Sequence, residues 1–204
     1  LQYKVLYDLI MGLRADMHEH ALDNLKYIRS TMENTTAFTA VPGYGMMLVG
    51  CSALVAAWLG AGAKSREAWL AIWTAEGMAA ILLGFIALIW KANHSGVSLL
   101  SSPARRFGLG FAPPLLAGAA LTAAAARSNH YSEVAGLWLL LYGAGVITGG
   151  MSSVRAVFVM GFTFMALGAL TLFLPVQFND FCLASGFGGL HIVFGIWIAR
   201  KHGG

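Results

Sequence analysis

The chain has 204 residues, of which 58% are hydrophobic and 11% charged, with a formal net charge of +4 and a mean hydropathy of +0.69. Soluble domains carry about 25% charged residues, so this composition excludes an ordinary water-soluble globule. The small positive charge is distributed by side rather than in a patch, which argues for membrane orientation and against nucleic-acid binding.

Residues 1–36 carry nine charges and no apolar core segment, so no cleavable signal peptide is read there. Leu6, Ile10, Leu13, Met17, Ala21, Leu25, Ile28 and Met32 recur at spacings of four and three, while Asp16, Glu19, Asp23, Lys26 and Arg29 occupy other faces. That pattern predicts one amphipathic helix. It would lie on the inner membrane surface or against the other helices, or else pair with a partner protein or a second copy. Ser30 to Thr36, followed by Pro42 and Gly43, should end it.

Six apolar stretches follow, at about 41–61, 68–90, 107–126, 134–153, 155–174 and 179–199. A bilayer core needs roughly 20 residues per spanning helix, and buried backbone groups in lipid must pair within their own segment. The expected fold is therefore all-α: a polytopic bundle of six transmembrane helices in residues 37–204, preceded by the amphipathic helix. An N-terminus on the inside puts ten Lys and Arg residues on that side and three, Lys64, Arg66 and Arg127, on the other. By the positive-inside rule both termini are then cytoplasmic. Arg105 and Arg106 should meet phospholipid headgroups, and Arg155 should reach the inner interface.

The two groups of three spans show a weak internal match, which would make a 3+3 inverted repeat. Gly77 and Gly84 in the second span correspond to Gly161 and Gly168 in the fifth. Pro113 and Pro114 interrupt the third span where Gly186, Gly188 and Gly189 loosen the sixth. Paired interruptions in matching spans point to a midplane substrate site; the alternative is a pair of ordinary kinks.

Two ionisable residues lie inside these spans. Glu76 is ~12 Å from the outer end of its span and His191 ~15–18 Å from the outer end of its own, at 1.5 Å rise per residue. Sharing one layer, they would make a substrate or ion site together with the interrupted segments. The plainer readings are a protonated carboxyl bonded to backbone, Thr74 or Tyr142, and a neutral imidazole joining two helices. Cys51 and Cys182 read as packing residues. The histidines lack zinc-site spacing, and no phosphate loop or nucleophile elbow is present, so neither metal, cofactor nor enzymatic activity is expected.

The stretches LKYIRSTMENTTAFTAVPGYG (from Leu25), YGAGVITGGMSSVR (from Tyr142) and GFGGLHIVFGIWIARKHGG (from Gly186) resemble an uncharacterised family of small bacterial multi-pass membrane proteins with no assigned activity. The resemblance implies a bacterial inner-membrane location. Two functions stay open: a small transporter or channel-like protein, or a non-catalytic membrane subunit that docks a partner through its N-terminal helix.

Overall fold

The computed structural model describes residues 2–35, 38–96 and 98–202. The chain divides into two compact units, 1–36 and 37–204. The first is a single helix, α1 (Gln2–Thr35), in which the described stripe residues Leu13, Met17, Leu25 and Ile28 are all exposed. The side chains of Leu6, Ile10 and Met32 lie outside the described residues. A lone helix has nothing of its own on which to bury an apolar stripe. Its i,i+3 pair, Lys26 Nζ to Asp23 Oδ1 at 3.0 Å, is a surface contact of small energetic weight.

The second unit is helical among its described residues: α2 (Gly43–Ala61), α3 (Arg66–Ser95), α4 (Ser102–Ser128), α5 (Val134–Gly150), α6 (Arg155–Phe173), α7 (Asn179–Leu183) and α8 (His191–His202). A π-helical segment, Ala184–Leu190, joins α7 to α8. Together with a preceding 3-10 turn they form one run, Val176–Lys201, with the length of a span. The boundaries of α3 and α4 have local causes. Ser65 and Ser101 cap α3 and α4 by accepting from Ala68 N (3.1 Å) and Ala104 N (3.4 Å). Gly96 (φ 65°) and Asn129 (φ 56°) close the same helices in the left-handed conformation.

Among the described residues, five helices are long and apolar enough to cross a bilayer: α2, α3, α4, α6 and the composite run ending in α8, as expected of an integral membrane protein. The expected count of six is not reached on length. The stretch predicted at 134–153 forms only α5, whose 17 residues extend roughly 26 Å against a hydrocarbon core of about 30 Å. Its helix stops at Gly150 because Met151 to Ser153 turn back through bonds to Ile147, Gly149 and Gly150 carbonyls.

Helix α2 packs on α3 and on α8, and α5 packs on α6 and on α4; α7 and the π segment lie among α2, α5 and α6. Glycines set two of these seams. A methyl group added at Gly143 would sit 2.7 Å from Met165 N and 2.8 Å from Gly161 O, and one at Gly136 3.1 Å from Gly168 O. Between α2 and the run of the π segment and α8, Gly43 faces Gly195 and Gly50 faces Gly188 in the same manner, with 2.7–2.8 Å from a methyl added at each α2 position to the facing carbonyl. Both seams are antiparallel with glycines seven apart, which brings the backbones into direct contact. The glycines that suggested the internal repeat do different work: Gly161 and Gly168 are locked into the α5–α6 seam, whereas Gly77 and Gly84 face open space on α3.

Candidate functional site

The π-helical segment positions a buried histidine of the bundle. Wide π turns interrupt the regular carbonyl ladder and recur at functional sites. Here Gly186 sits under Leu139 and Phe164 on one side while Gly188 sits under Leu54 on the other. Side chains at these two positions would collide with three helices at once, which explains the small residues. His191, the first residue beyond the segment, is 4% exposed.

The His191 Nε2 is 2.7 Å from the hydroxyl of Tyr142 on α5. Its Nδ1 is buried and has no well-formed hydrogen bond among the described residues, while the backbone of Phe187 and Gly186 interacts with the ring. A neutral ring protonated at Nδ1 accepts the Tyr142 hydrogen at Nε2. Aromatic rings enclose the pair: Phe164 stands edge-on to His191 at 5.3 Å, and Tyr142 meets Phe111, Phe164 and Phe187 at 5.7, 4.8 and 5.2 Å.

Glu76 does not join His191. The Ser52 hydroxyl on α2 is 2.8 Å from Glu76 Oε1 and 2.9 Å from the Val49 carbonyl of its own helix. A hydroxyl has one hydrogen, so both contacts are satisfied together when the carboxyl carries the proton and donates to Ser52. The partners considered from sequence bond elsewhere: Thr74 to the Leu70 and Ala71 carbonyls, Tyr142 to His191.

Pro113 and Pro114 do not break α4, which runs through them. Pro113 is exposed and Pro114 half-buried. A proline at 114 removes the donor that the Gly110 carbonyl would receive four residues back. Thr148 of α5 supplies a replacement, its hydroxyl donating to Gly110 O at 2.6 Å. Gly145 and Gly149 let α4 approach closely enough for this: a methyl added at either would lie 3.0 Å from the carbonyl of Phe111 or Phe107, respectively. Among the described residues, a methyl added at Gly189 would meet the Ala184 carbonyl of its own segment at 3.9 Å and nothing closer.

Two further clusters bracket this layer. At the end where α3, α5 and α7 begin, Asp180 Oδ1 accepts from both Trp69 Nε1 (2.7 Å) and Trp73 Nε1 (2.9 Å). A methyl at Gly60 would lie 2.8 Å from that oxygen, so glycine there admits the carboxylate. Trp69 stacks on Trp138 at 5.9 Å, and Trp138 donates to Thr122 Oγ1 at 2.7 Å. The chain of contacts links α2, α3, α7, α5 and α4. At the opposite end, residues 38–41 form a strap: Phe38 N donates to Ser152 O, Ser153 Oγ to Phe38 O, both at 2.7 Å, and Lys91 Nζ to Val41 O at 2.9 Å. Lys91 is only 3% exposed.

Sequence reasoning passed over Asp180, which falls at the edge of the last apolar stretch. Trp69 and Trp73, four apart and hence on one helix face, were the available sign that α3 needs a polar acceptor there. No protein-family model, no curated protein and no solved structure matches the chain.

Proposed function

We propose that the chain is a six-span membrane protein of transporter or channel-like type, in which the Tyr142–His191 pair is the central polar site. The basic end faces the cytoplasm of a bacterial inner membrane, with both termini on that side. The observation that carries this reading is the buried imidazole bonded to the Tyr142 hydroxyl, placed directly after a π-helical interruption. Three features support it. Clusters of polar contacts close the bundle at both ends of this layer, as an occluded state requires. Each half of the bundle has the same packing plan: its first span on its own second and on the third of the other half, as in an inverted repeat. Glu76 adds a second protonatable group inside the bilayer, on a separate helix pair.

In this reading Tyr142 and His191 pass a proton or hydrogen-bond a polar solute, and the Asp180–tryptophan cluster and the 38–41 strap open in turn. Vesicles loaded with a pH-sensitive dye and given a valinomycin-clamped pH step test the proton form. The intact chain should acidify the interior at least tenfold faster than empty vesicles, and His191→Ala and Tyr142→Phe should remove most of that rate. A rate equal to empty vesicles removes the proton form. If radiolabelled cations and small polar solutes also fail to cross, the transport reading is lost.

The alternative, a non-catalytic subunit of a larger membrane complex, draws on α1: a 34-residue helix that forms a unit of its own and exposes an apolar stripe. Gentle purification from the native membrane separates the two. Constant co-migration with another protein, abolished by deleting residues 1–36, favours the subunit.

A further inference from the structure

Unit 37–204 has four carboxylate side chains, Glu67, Glu76, Glu133 and Asp180. Three stand where α3, α5 and α7 begin, and Glu76 alone is set deep in a span. Along α3 it lies ~15 Å from Arg66 and ~22 Å from Lys91, counted at the helical rise.

Glu76 is half-buried, at the edge of the α2–α3 seam rather than behind it. Three residues before it, Trp73 is 3% exposed and gives its indole N–H to Asp180. Three residues after it, Ala79 is exposed. Its partner Ser52 is also half-buried, and Leu48 and Val55, about one turn to either side on the same face of α2, are 61% and 57% exposed. Gly77 leaves room beside the carboxyl, since a methyl there would meet nothing within 4 Å among the described residues. The two contacts of the Ser52 hydroxyl, to Glu76 Oε1 and to the Val49 carbonyl, are both made when Glu76 carries the proton. Among the described residues no cation lies within ion-pair distance of Glu76, and an unpaired charge in hydrocarbon is the costly form.

We infer that Glu76 is a covalent-modification site for hydrophobic carbodiimides, reached through the lipid. The carboxyl passes its proton to one carbodiimide nitrogen while its oxygen bonds to the central carbon, turning one C=N double bond into a single bond. The acyl group of this O-acylisourea then moves to the neighbouring nitrogen. The acyl C–O bond breaks, a C–N bond forms, and a stable N-acylurea stays on Glu76 with no other reactant used. A neutral acid supplies the proton, and a lipid-soluble reagent reaches it. Glu133 meets neither condition: it is exposed, and hydrogen bonds from Ser132 and its own backbone hold its carboxyl below the usual carboxylate range. The inference rests on the chain spanning a bilayer and is independent of transport by the Tyr142–His191 pair.

The test uses the full chain in phosphatidylcholine vesicles, washed in alkaline carbonate to remove protein that has not inserted. The vesicles receive either dicyclohexylcarbodiimide or a cationic, water-soluble carbodiimide with glycine ethyl ester, and peptide mass mapping locates the adducts. Dicyclohexylcarbodiimide should modify Glu76 and leave Glu67, Glu133 and Asp180 untouched. The water-soluble reagent should couple the ester to the exposed Glu67 and Glu133 and spare Glu76. Glu76→Gln should lose the hydrophobic adduct. An unmodified Glu76 in the washed, intact chain overturns the inference whatever the variant does and leaves the spanning reading standing. An adduct on the exposed Cys51 in place of Glu76 does the same. Coupling of Glu76 by the water-soluble reagent overturns the lipid route, and a chain released by the wash overturns the inference together with its premise.

Discussion

The α5–α6 seam and the outer face of α3 carry the same sequence device with opposite results. Both present glycines seven residues apart. In the seam, Gly143 and Gly161 bring two backbones so close that an added methyl would lie 2.7 Å from the Met165 amide and 2.6 Å from Ile147 Cγ1, respectively. On α3, a methyl added at Gly77 or Gly84 would meet nothing within 4 Å among the described residues. Spacing alone places residues on one helix face; it says nothing of what the face meets. A glycine matters to packing only where a second backbone takes up the room.

Substituting within the seam should give the largest effect. Gly143→Ala drives its methyl into backbone of α6 that cannot rotate aside, at a cost of about 3 kcal/mol. Unfolding in mixed micelles, titrated with sodium dodecyl sulfate and followed by circular dichroism, measures it. A Gly143→Ala protein as stable as a Gly77→Ala protein would mean that the seam is looser than its contact distances.

The next effect tests how α3, the more exposed partner, is held at all. Its inward side is tied at three depths: Trp69 and Trp73 to Asp180, Glu76 to Ser52, Lys91 to the Val41 carbonyl. Asp180→Ala leaves two indole N–H groups without an acceptor in a site where Trp73 is 3% exposed, costing about 2 kcal/mol. Cys182, two residues on, is 2% exposed and reports whether the cluster has opened. In a Cys51→Ser background, a polar maleimide should label Cys182 slowly in the parent and several-fold faster after Asp180→Ala, with Asp180→Asn close to the parent. Unchanged labelling would show that the cluster does not close that end.

These cases mark the limit of what is legible before the chain is folded. The long apolar helices and the break before Gly43 follow from composition and turn chemistry, because length, hydropathy and proline are local properties. Lys91 reads as one more interfacial cation, yet it is buried against the 38–41 strap, which lies 50 residues earlier. Ser52 and Glu76 are 24 residues apart, and Tyr142 and His191 are 49. Both titratable residues are visible as costly groups in lipid, but their partners depend on helix rotation, which these nearly all-apolar spans leave undetermined. Where a span is apolar all round, no stripe reveals its buried face.

A smaller effect separates the two prolines from the glycines once paired with them. If Thr148 compensates for the donor missing at Pro114, Thr148→Val should cost about 1 kcal/mol by orphaning the Gly110 carbonyl. In a Pro114→Ala background the restored amide takes that carbonyl, and the same substitution should cost close to nothing. A double-mutant cycle in mixed micelles reads the difference directly. Equal costs in both backgrounds would mean that the hydroxyl does not stand in for the proline.

The smallest effect has the opposite sign and closes the contrast between seam and edge. Gly77 and Gly84 lie inside α3, where glycine loses more conformational entropy on folding than alanine does. With nothing within 4 Å, an added methyl meets no protein, and Gly77→Ala and Gly84→Ala should each stabilise the helix by roughly 0.5–1 kcal/mol. The two sites lie well apart along the helix, so the gains should add. A loss at either position, where a gain is expected, would show that another helix covers this face in the membrane. A cross-link between two copies carrying Gly77→Cys would then identify that helix as the α3 of a second chain.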